Sequence, residues 1–307
     1  EVVTQYITDI SNNGVFFTDS NGREFQKRVR SYRSTWNLNE TEPISGNYYP
    51  INAAIFIEDK EKSLGIVTDR SQGGSSLIDG SIEVMVQRRT LADDARGVGE
   101  PLKETDGCVS PYPPYGDATR HGEGIVIRGK HRLVIGKGDS GASITRKEMD
   151  EAFSEPLMFF GSTTKGREVP FRGSSFSLIQ SALPKNVMLL TFQFLSHEPT
   201  KTFLIRIGHQ FAKDEDIEMS RPVSVDMNAL FDYRYKIVDC KEKTLSGNRN
   251  LEDWHRDRLR WTTDTSLKKS HDAGPTEGNI ITLNPMEIRT FHVQIDSSMI
   301  YPATKVK

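Results

Sequence analysis

The stretch "AAIFIEDKEKSLGIVTD", residues 53–69, decides the fold class of this chain. Two short apolar runs, residues 53–59 and 63–69, are separated by three charged residues at positions 60–62. Apolar runs of this length joined by a polar turn are typical of paired antiparallel strands. The stretch therefore predicts a β-hairpin.

Strand patterns continue on both sides of this hairpin. "SIEVMVQR" (81–88) places alternate apolar side chains on one face. A second hairpin is predicted where "NVMLLTFQFL" (186–195) and "TFLIRIGHQF" (202–211) flank a short polar turn. "NIITLNPMEIRTFHVQI" (279–295) predicts two short strands that meet at a turn. Further strand-like patterns occupy residues 1–10, 124–135, 221–231 and 233–239.

Helical patterns are scarce. In "TRKEMDEAF" (145–153), Thr145 and Glu148 have the spacing of a capping box. The apolar residues on one face of this helix are Met149, Ala152 and Phe153. "LEDWHRDRLRW" (251–261) predicts either a short helix or a strand. The chain is therefore expected to be mainly β, built from antiparallel β-sandwich domains with few short helices. A soft boundary falls near residues 183–186.

Two short motifs suggest chemistry that their context does not support. "RSQGGSS" (70–76) lacks the G-x-x-x-x-G-K-[ST] phosphate-binding pattern and opens no helix, so we predict a tight turn with positive φ at Gly73 or Gly74. "GKGDSGAS" (136–143) contains the Gly-Asp-Ser-Gly run of trypsin-like proteases. A protease would need Ser140 to act with a histidine base and a buried aspartate. The context favours a loop that caps the next helix.

Composition excludes several classes of function. Forty Lys and Arg residues against 42 Asp and Glu residues give a net charge of −2, which argues against nucleic acid or an anionic membrane as the main partner. No apolar run approaches the roughly 20 residues of a membrane-spanning helix. The two cysteines, Cys108 and Cys240, and the seven histidines show no zinc-binding spacing, so no metal site is expected in this chain. The first residues are strand-like and lack Met, which predicts a cut inside a larger polypeptide.

The most highly charged loop follows a predicted strand. In "QRRTLADDARG" (87–97), continuation of the strand would place Arg88 on the face of Val84 and Val86, and Arg89 on the opposite face. The loop then carries Asp93, Asp94 and Arg96. Arginine forks match carboxylates and can donate to sugar hydroxyls. From the residues alone, an internal Arg–Asp network and a binding site for something polar both remain open.

Three long stretches together resemble the C-terminal half of lysosomal and vacuolar α-mannosidases, glycoside hydrolase family 38. They are "FFTDSNGREFQKRVRSYRSTWNLNETEPISGNYYPINAAIFIED", "TDRSQGGSSLIDGSIEVMVQRRTLADDARGVGEPL" and "LNPMEIRTF". The matching residues cover about 15–105 and 280–292, whereas the stretch between them matches only loosely. The resemblance is closest to the plant storage-vacuole enzymes.

The resemblance implies an activity that this chain does not carry alone. Members of the family hydrolyse terminal α-linked mannose of N-glycans with retention, through a carboxylate nucleophile, a carboxyl acid and a zinc ion. These groups lie in an N-terminal domain that has no counterpart in this chain. Residues 1–185 would be the later part of a large β-sandwich that faces the catalytic domain. Residues 186–307 would form smaller C-terminal β-sandwich modules.

The resemblance also implies site residues and partners. In the family, a sandwich loop brings an arginine to the rim of the active site, and we assign this role to the 87–97 stretch. Arg96 is the first choice, Arg89 the second and Arg88 the third, with Asp93 and Asp94 holding the arginines in place. The expected partners are an N-terminal catalytic chain, in a hetero-oligomer of processed chains, and mannose-containing N-glycans.

The compartment and a competing function complete these expectations. A vacuolar or lysosomal location gives weight to the Asn39-Glu40-Thr41 sequon, where we expect an N-glycan. The alternative function is an independent carbohydrate-binding module, for which "YPPY" (112–115) offers an aromatic platform.

Overall fold

The chain forms two compact units, Glu1–Glu155 and Pro156–Lys307. The structure is a computed structural model that describes residues 1–90, 124–160, 179–196, 201–231, 235–259 and 276–296, together with residues 92, 93, 95, 97, 177 and 274. Every strand pair in these residues is antiparallel. The prediction of a mainly β, antiparallel fold with few short helices is confirmed.

The first unit packs a four-stranded sheet on a five-stranded sheet. The strand orders are β1-β8-β7-β4 and β3-β2-β5-β6-β9. The strands are β1 (Val2–Ile7), β2 (Val15–Ser20), β3 (Glu24–Val29), β4 (Tyr49–Ile51), β5 (Ala54–Glu58), β6 (Lys62–Thr68), β7 (Gln72–Ser75), β8 (Ser81–Gln87) and β9 (His131–Lys137). A 3₁₀ turn spans Ser45–Asn47 and the helix α1 spans Gly141–Ala152.

Apolar residues from both sheets form the core of this sandwich. Ile51 and Val84 from the first sheet meet Phe16, Ile55 and Ile66 from the second, and all five are buried. The predicted hairpin is confirmed, since β5 and β6 pair from Ala54–Val67 to Glu58–Ser63. Its residues are buried on both faces because the second face of the sheet is covered by α1. This explains why its apolar runs are continuous instead of alternating.

The predicted glycine-rich turn is wrong, because residues 72–75 form the strand β7. Neither Gly73 nor Gly74 has a positive φ. The glycine at position 74 is explained by close packing instead: a Cβ there would lie 2.1 Å from Ile51 Cδ1 and 3.0 Å from the Glu83 carbonyl oxygen. Because Gly74 has no side chain, β7 fits between β4 and β8 without overlap with Ile51.

The turn that leads into β8 requires a glycine at position 80. Gly80 has a φ of +74°, and a Cβ there would lie 2.5 Å from the Thr8 carbonyl oxygen. Gly80→Ala is therefore expected to lower the free energy of unfolding of the first unit by about 2 kcal/mol, through backbone strain and overlap. Hydrogen exchange of the β8 amides measures this loss.

Gly22 provides the matched control for this prediction. Its φ is +68°, but nothing lies within 4 Å of the position that a Cβ would occupy. Gly22→Ala therefore adds strain without overlap and should cost about 1 kcal/mol. Equal losses of unfolding free energy in Gly80→Ala and Gly22→Ala would show that overlap with the atoms around Gly80 adds nothing to the cost of backbone strain.

The first helix begins earlier than its sequence pattern predicts. Thr145 lies inside α1, where it is fully buried against Gly65, so the predicted capping box at Thr145 and Glu148 is wrong. Glu58 from β5 accepts the Gly141 amide at 3.0 Å and stabilises the start of the helix from outside. Burial raises the pKa of Glu58, the Gly141 hydrogen bond opposes this effect, and nearby Asp139 adds to it.

The second unit also packs two antiparallel sheets. The strand orders are β10-β11-β16-β13 and β12-β15-β14. The strands are β10 (Val187–Ser196), β11 (Lys201–His209), β12 (Val223–Asp226), β13 (Ile237–Lys243), β14 (Thr276–Glu277), β15 (Ile280–Leu283) and β16 (Ile288–Ile295), and the helices are α2 (Met227–Leu230) and α3 (Leu251–Asp257). The second predicted hairpin is confirmed as β10 and β11. The turn after β15 carries the chain from one sheet to the other.

The division between the units falls before the predicted boundary at residues 183–186. Ile179 forms a β-bridge with Phe231, and the Gln180 amide donates to the Leu230 carbonyl oxygen at 2.8 Å. These contacts place this part of the chain with the second unit. The assignment of residues 1–185 and 186–307 to the sandwich modules of a larger enzyme stays a prediction.

Candidate functional site

The charged stretch after β8 begins at one end of the first sandwich. Val2 at the start of β1 pairs with Gln87 at the end of β8, and Thr68 at the end of β6 pairs with His131 at the start of β9. The residues at these strand ends carry charges of both signs. We call this set the arginine rim: Glu1, Asp69, Arg70, Arg88, Arg89, Asp93 and Lys130.

Arg88 is held by a partner that the sequence analysis missed. Its Nε lies 2.9 Å from Glu1 Oε1, in an ion pair whose two side chains are about half exposed. Because β1 and β8 are antiparallel neighbours, the first residue of the chain lies beside the end of β8. Only knowledge of this strand pairing could have revealed the contact.

Arg89 is the exposed arginine of the rim that has no ion pair among the described residues. Its side chain lies beside Gly124, where a Cβ would stand 3.7 Å from Arg89 Nη1. An uncommitted guanidinium presents up to five N–H donors in a rigid planar fork. Arg89 is therefore the described arginine best able to donate to an external ligand.

The structure describes one of the two acidic residues of this loop, Asp93. Asp93 accepts the Ala95 amide at 2.9 Å, in a turn where Ala95 has a φ of +56°. The described residues show no ion pair between Asp93 and Arg88 or Arg89, and the expected support of the arginines by Asp93 stays a prediction. Asp94 and Arg96 lie outside the described residues. Their predicted roles stay predictions.

A second charged group belongs to the same rim. Asp69 accepts the Lys130 amide at 2.8 Å and forms an ion pair with Arg70 Nη1 at 3.1 Å. Arg70 Nη1 also donates to the Arg128 carbonyl oxygen at 3.1 Å. These bonds tie the loop after β6 to the segment that precedes β9, so this part of the rim has a defined shape.

A hydrogen-bonded histidine lies behind the rim, between the two sheets. His131 Nδ1 is 2.7 Å from the Tyr6 hydroxyl, and His131 Nε2 is 2.8 Å from Gln72 Oε1. The Gln72 side-chain amide donates to the Met85 carbonyl oxygen at 3.0 Å. Burial lowers the pKa of His131, which favours the neutral ring. The sequence showed His131 only as a strand residue.

The described residues give no support to the serine protease alternative. Ser140 Oγ donates to the Lys137 carbonyl oxygen at 2.6 Å, which is local turn geometry. His131, the histidine in the neighbouring strand, is bonded to Tyr6 and Gln72 instead. Ser140 is the residue that precedes α1, as the loop interpretation predicted, although its side chain makes no capping bond.

Within the described ranges, no group of three or more His, Cys, Asp or Glu side chains is placed to hold a metal ion. No helix in the described part of the chain combines the length and apolarity needed to cross a membrane. The thiol of Cys240 is half-buried and burial raises its pKa to about 11, whereas Cys108 and the "YPPY" stretch lie outside the described residues.

Sequence comparison relates this chain to one group of enzymes. Residues 1–96 match the glycosyl hydrolases family 38 C-terminal domain. The chain is 41% identical to lysosomal alpha-mannosidase of Bos taurus over 95% of its length, and 37% identical to an alpha-mannosidase of Arabidopsis thaliana over 97%. It is 34% identical over 96% of its length to the jack bean enzyme, alpha-mannosidase of Canavalia ensiformis. The resemblance to lysosomal and plant α-mannosidases is confirmed.

The chain spans only a part of these relatives. It covers 27% of the bovine protein, 28% of the Arabidopsis protein and 29% of the jack bean protein. Among solved structures, an alpha-mannosidase from Enterococcus faecalis V583 matches with a TM-score of 0.52 and 12% identity, over 94% of this chain and 25% of that chain. At this identity the likeness shows the fold alone.

Proposed function

We propose that this chain is the C-terminal part of a retaining, zinc-dependent α-mannosidase that removes terminal α-linked mannose from N-glycans in a lysosome or vacuole. The observation that carries this proposal is 34–41% identity to α-mannosidases over 95–97% of the chain. The nucleophile, the acid and the zinc ligands would lie on an N-terminal catalytic polypeptide. The described residues offer no cluster that could hold the metal themselves.

The arginine rim is the part of this chain that we place against the substrate. A retaining glycosidase uses two carboxyl groups about 5–5.5 Å apart, as nucleophile and as acid and base. The zinc ion supplies Lewis-acid contacts to sugar hydroxyls when bound. Arg89, and Arg96 in the loop that follows it, would donate hydrogen bonds to hydroxyls of the bound glycan and fix its orientation. The ordered Asp69–Arg70–Arg128 contacts would keep the adjoining surface in place.

One edge of the first sandwich, which the described residues leave exposed, supports the proposal of a large partner polypeptide. β1 ends its sheet, and β9 lies opposite it through the Tyr6–His131 bond. Along this edge Ile7, Leu133 and Ile135 are 77%, 53% and 80% exposed. Leu133 and Ile135 pair with the core residues Ile66 and Leu64, so their side chains point to the core side of the sheet. A catalytic polypeptide that covers this edge would complete the core, in an obligate interface of more than about 2,000 Å².

Native purification of the protein that contains this chain tests the proposal. The chain is expected to co-elute with an N-terminal polypeptide under non-denaturing conditions, and the complex should hydrolyse a chromogenic α-mannoside. Chelation should lower this activity at least about tenfold, and Zn²⁺ should restore it. Hydrogen exchange of β5 and β6 should not change on chelation, since no described residue of this chain forms a metal-binding cluster.

The same experiment detects the competing function. A chain that elutes alone as a soluble species and binds glycans would be an independent carbohydrate-binding module. Co-elution with activity that survives complete removal of zinc would retain the α-mannosidase assignment but overturn the metal requirement.

A further inference from the structure

The loop between β3 and β4 is held in one conformation by a buried asparagine. Asn47 is 1% exposed, and its side-chain amide donates to Glu40 Oε1 at 2.7 Å and to the Pro43 carbonyl oxygen at 2.8 Å. Its side-chain oxygen accepts the Ser31 amide at 2.7 Å. Both ends and the middle of the loop are therefore tied to one side chain, which makes the loop ordered although it contains little regular structure.

An arginine adds a second tie across the same loop. Arg33 donates to the Gly46 carbonyl oxygen at 2.5 Å and to the Tyr32 carbonyl oxygen at 2.8 Å. Its guanidinium lies 5.4 Å from the centre of the Tyr49 ring. Arg33 thus fixes the first part of the loop to β4, and the residues that follow it are presented on a rigid base.

This ordered loop exposes a tryptophan beside a shallow depression. Trp36 is 61% exposed, and residues 31–38 line a depression of about 590 Å³. A large aromatic ring left in water on an ordered loop loses the burial that would normally stabilise it. The depression is of the size that holds a small ligand, within the roughly 300–1,000 Å³ of such sites. The ring is therefore available to a ligand with an apolar face.

The glycosylation sequon lies immediately beside this depression. Asn39 and Thr41 are both exposed, whereas Glu40 between them points inward to Asn47. Only Asn37 and Leu38 lie between Trp36 and Asn39, so their Cα atoms are within about 11 Å even in the most extended chain. A glycan on Asn39 would thus begin within reach of the Trp36 ring.

We propose that Trp36 is a packing face for the first sugar residues of an N-glycan attached to Asn39. A pyranose ring has an apolar face of C–H groups that removes aromatic area from water when it covers the indole. The hydroxyls at the sugar edges stay in solvent or meet the polar rim of the depression. The glycan thereby stabilises the loop that carries it, and this role is separate from any contact with substrate.

The inference rests on the proposed function only for passage through the secretory pathway. The test uses the complete protein secreted from eukaryotic cells, as wild type, Asn39→Gln and Trp36→Ala. Mass analysis of the 31–47 peptide before and after enzymatic deglycosylation measures occupancy. Hydrogen exchange of residues 31–47 in both glycosylation states measures the order of the loop.

We expect deglycosylation of the wild-type protein to speed hydrogen exchange in this loop about fivefold. In Trp36→Ala, removal of the glycan should have no effect on exchange, and Trp36→Phe should retain part of the protection because a ring remains. Ile44→Ala is the matched control, since Ile44 is a similarly exposed residue of the same loop that does not line the depression. This control should keep the wild-type response.

Three results would overturn the inference. They are an unoccupied Asn39 in the secreted protein, glycan protection that persists in Trp36→Ala, and protection that Ile44→Ala removes equally. Hydrolysis of a chromogenic α-mannoside by the same preparations reports separately on the proposed function. Active protein without glycan protection overturns only the Trp36 inference, and inactive protein with Trp36-dependent protection overturns only the proposed function.

Discussion

Arg289→Met is expected to lower the free energy of unfolding of the second unit by about 3–5 kcal/mol. Arg289 is almost completely buried, and its guanidinium forms two bonds with Glu242, Nε to Oε1 at 2.8 Å and Nη2 to Oε2 at 2.6 Å. It also donates to the carbonyl oxygens of Gly274 and Thr282 at 2.9 and 3.0 Å. Removal of the cation leaves a largely buried carboxylate and two carbonyl groups without their hydrogen-bond donor. Removal of one partner of a buried ion pair costs much more folding free energy than replacement of both partners by apolar side chains.

The position of Arg289 explains why the effect should extend through the unit. Arg289 lies on β16 and Glu242 on β13, in one sheet, whereas Thr282 lies on β15 in the other. One side chain therefore joins the two sheets around the apolar core of the unit. Hydrogen exchange of the β16 and β15 amides in the complete protein should show the lower free energy of unfolding in both sheets.

Two further variants separate the buried pair from an ordinary surface contact. Lys241 and Asp239 form an exposed ion pair on the same strand, so Lys241→Ala should cost less than about 1 kcal/mol. Arg289→Met combined with Glu242→Leu should recover part of the loss, because no buried charge is left without a partner. A loss below about 1 kcal/mol for Arg289→Met alone would show that solvent or another cation compensates Glu242.

The strands of this protein are predictable where sequence patterns are local. Both hairpins follow from apolar runs and polar turns, and the structure confirms them. β7 was missed because Gly73 and Gly74 carry no β signal. The close packing that explains Gly74 is with Ile51 on a neighbouring strand, which no local pattern shows. The start of α1 was misplaced for a similar reason, since the group that stabilises its first turn is Glu58, far away in the sequence.

The candidate site, too, could be predicted from the sequence only where the pattern is local. The sequence singled out the 87–97 stretch by its density of charge, and the resemblance gave it a role at the substrate. Neither could show that Glu1 binds Arg88, that Asp69 and Arg70 join the same rim, or that His131 lies behind it. Those contacts depend on which strand ends meet in space, and strand pairing over long sequence separations is not encoded in any local pattern.

On the proposed function, Arg96→Ala and Arg89→Ala in the complete protein are each expected to lower kcat/KM for an α-mannoside about 10- to 100-fold. A hydrogen bond from a charged donor to substrate is worth about 1.5–3 kcal/mol, which corresponds to this loss. Arg89 is exposed and has no ion pair among the described residues, which makes it the described arginine that we expect to contact substrate. Arg88 is committed to Glu1, and Arg88→Ala should therefore change kcat/KM less than either of the others.

The pattern across these three variants decides the role of the rim. Lys60→Ala is the control, because Lys60 is an exposed cation in the β5–β6 turn and its loss changes the net charge equally. This control should leave kcat and KM unchanged. If kcat and KM both stay within about twofold of wild type in Arg96→Ala and in Arg89→Ala, the rim does not touch substrate. A loss that appears in KM with kcat unchanged would instead mean that the arginines bind substrate and transition state equally, and act in recognition of the glycan and not in the chemical step.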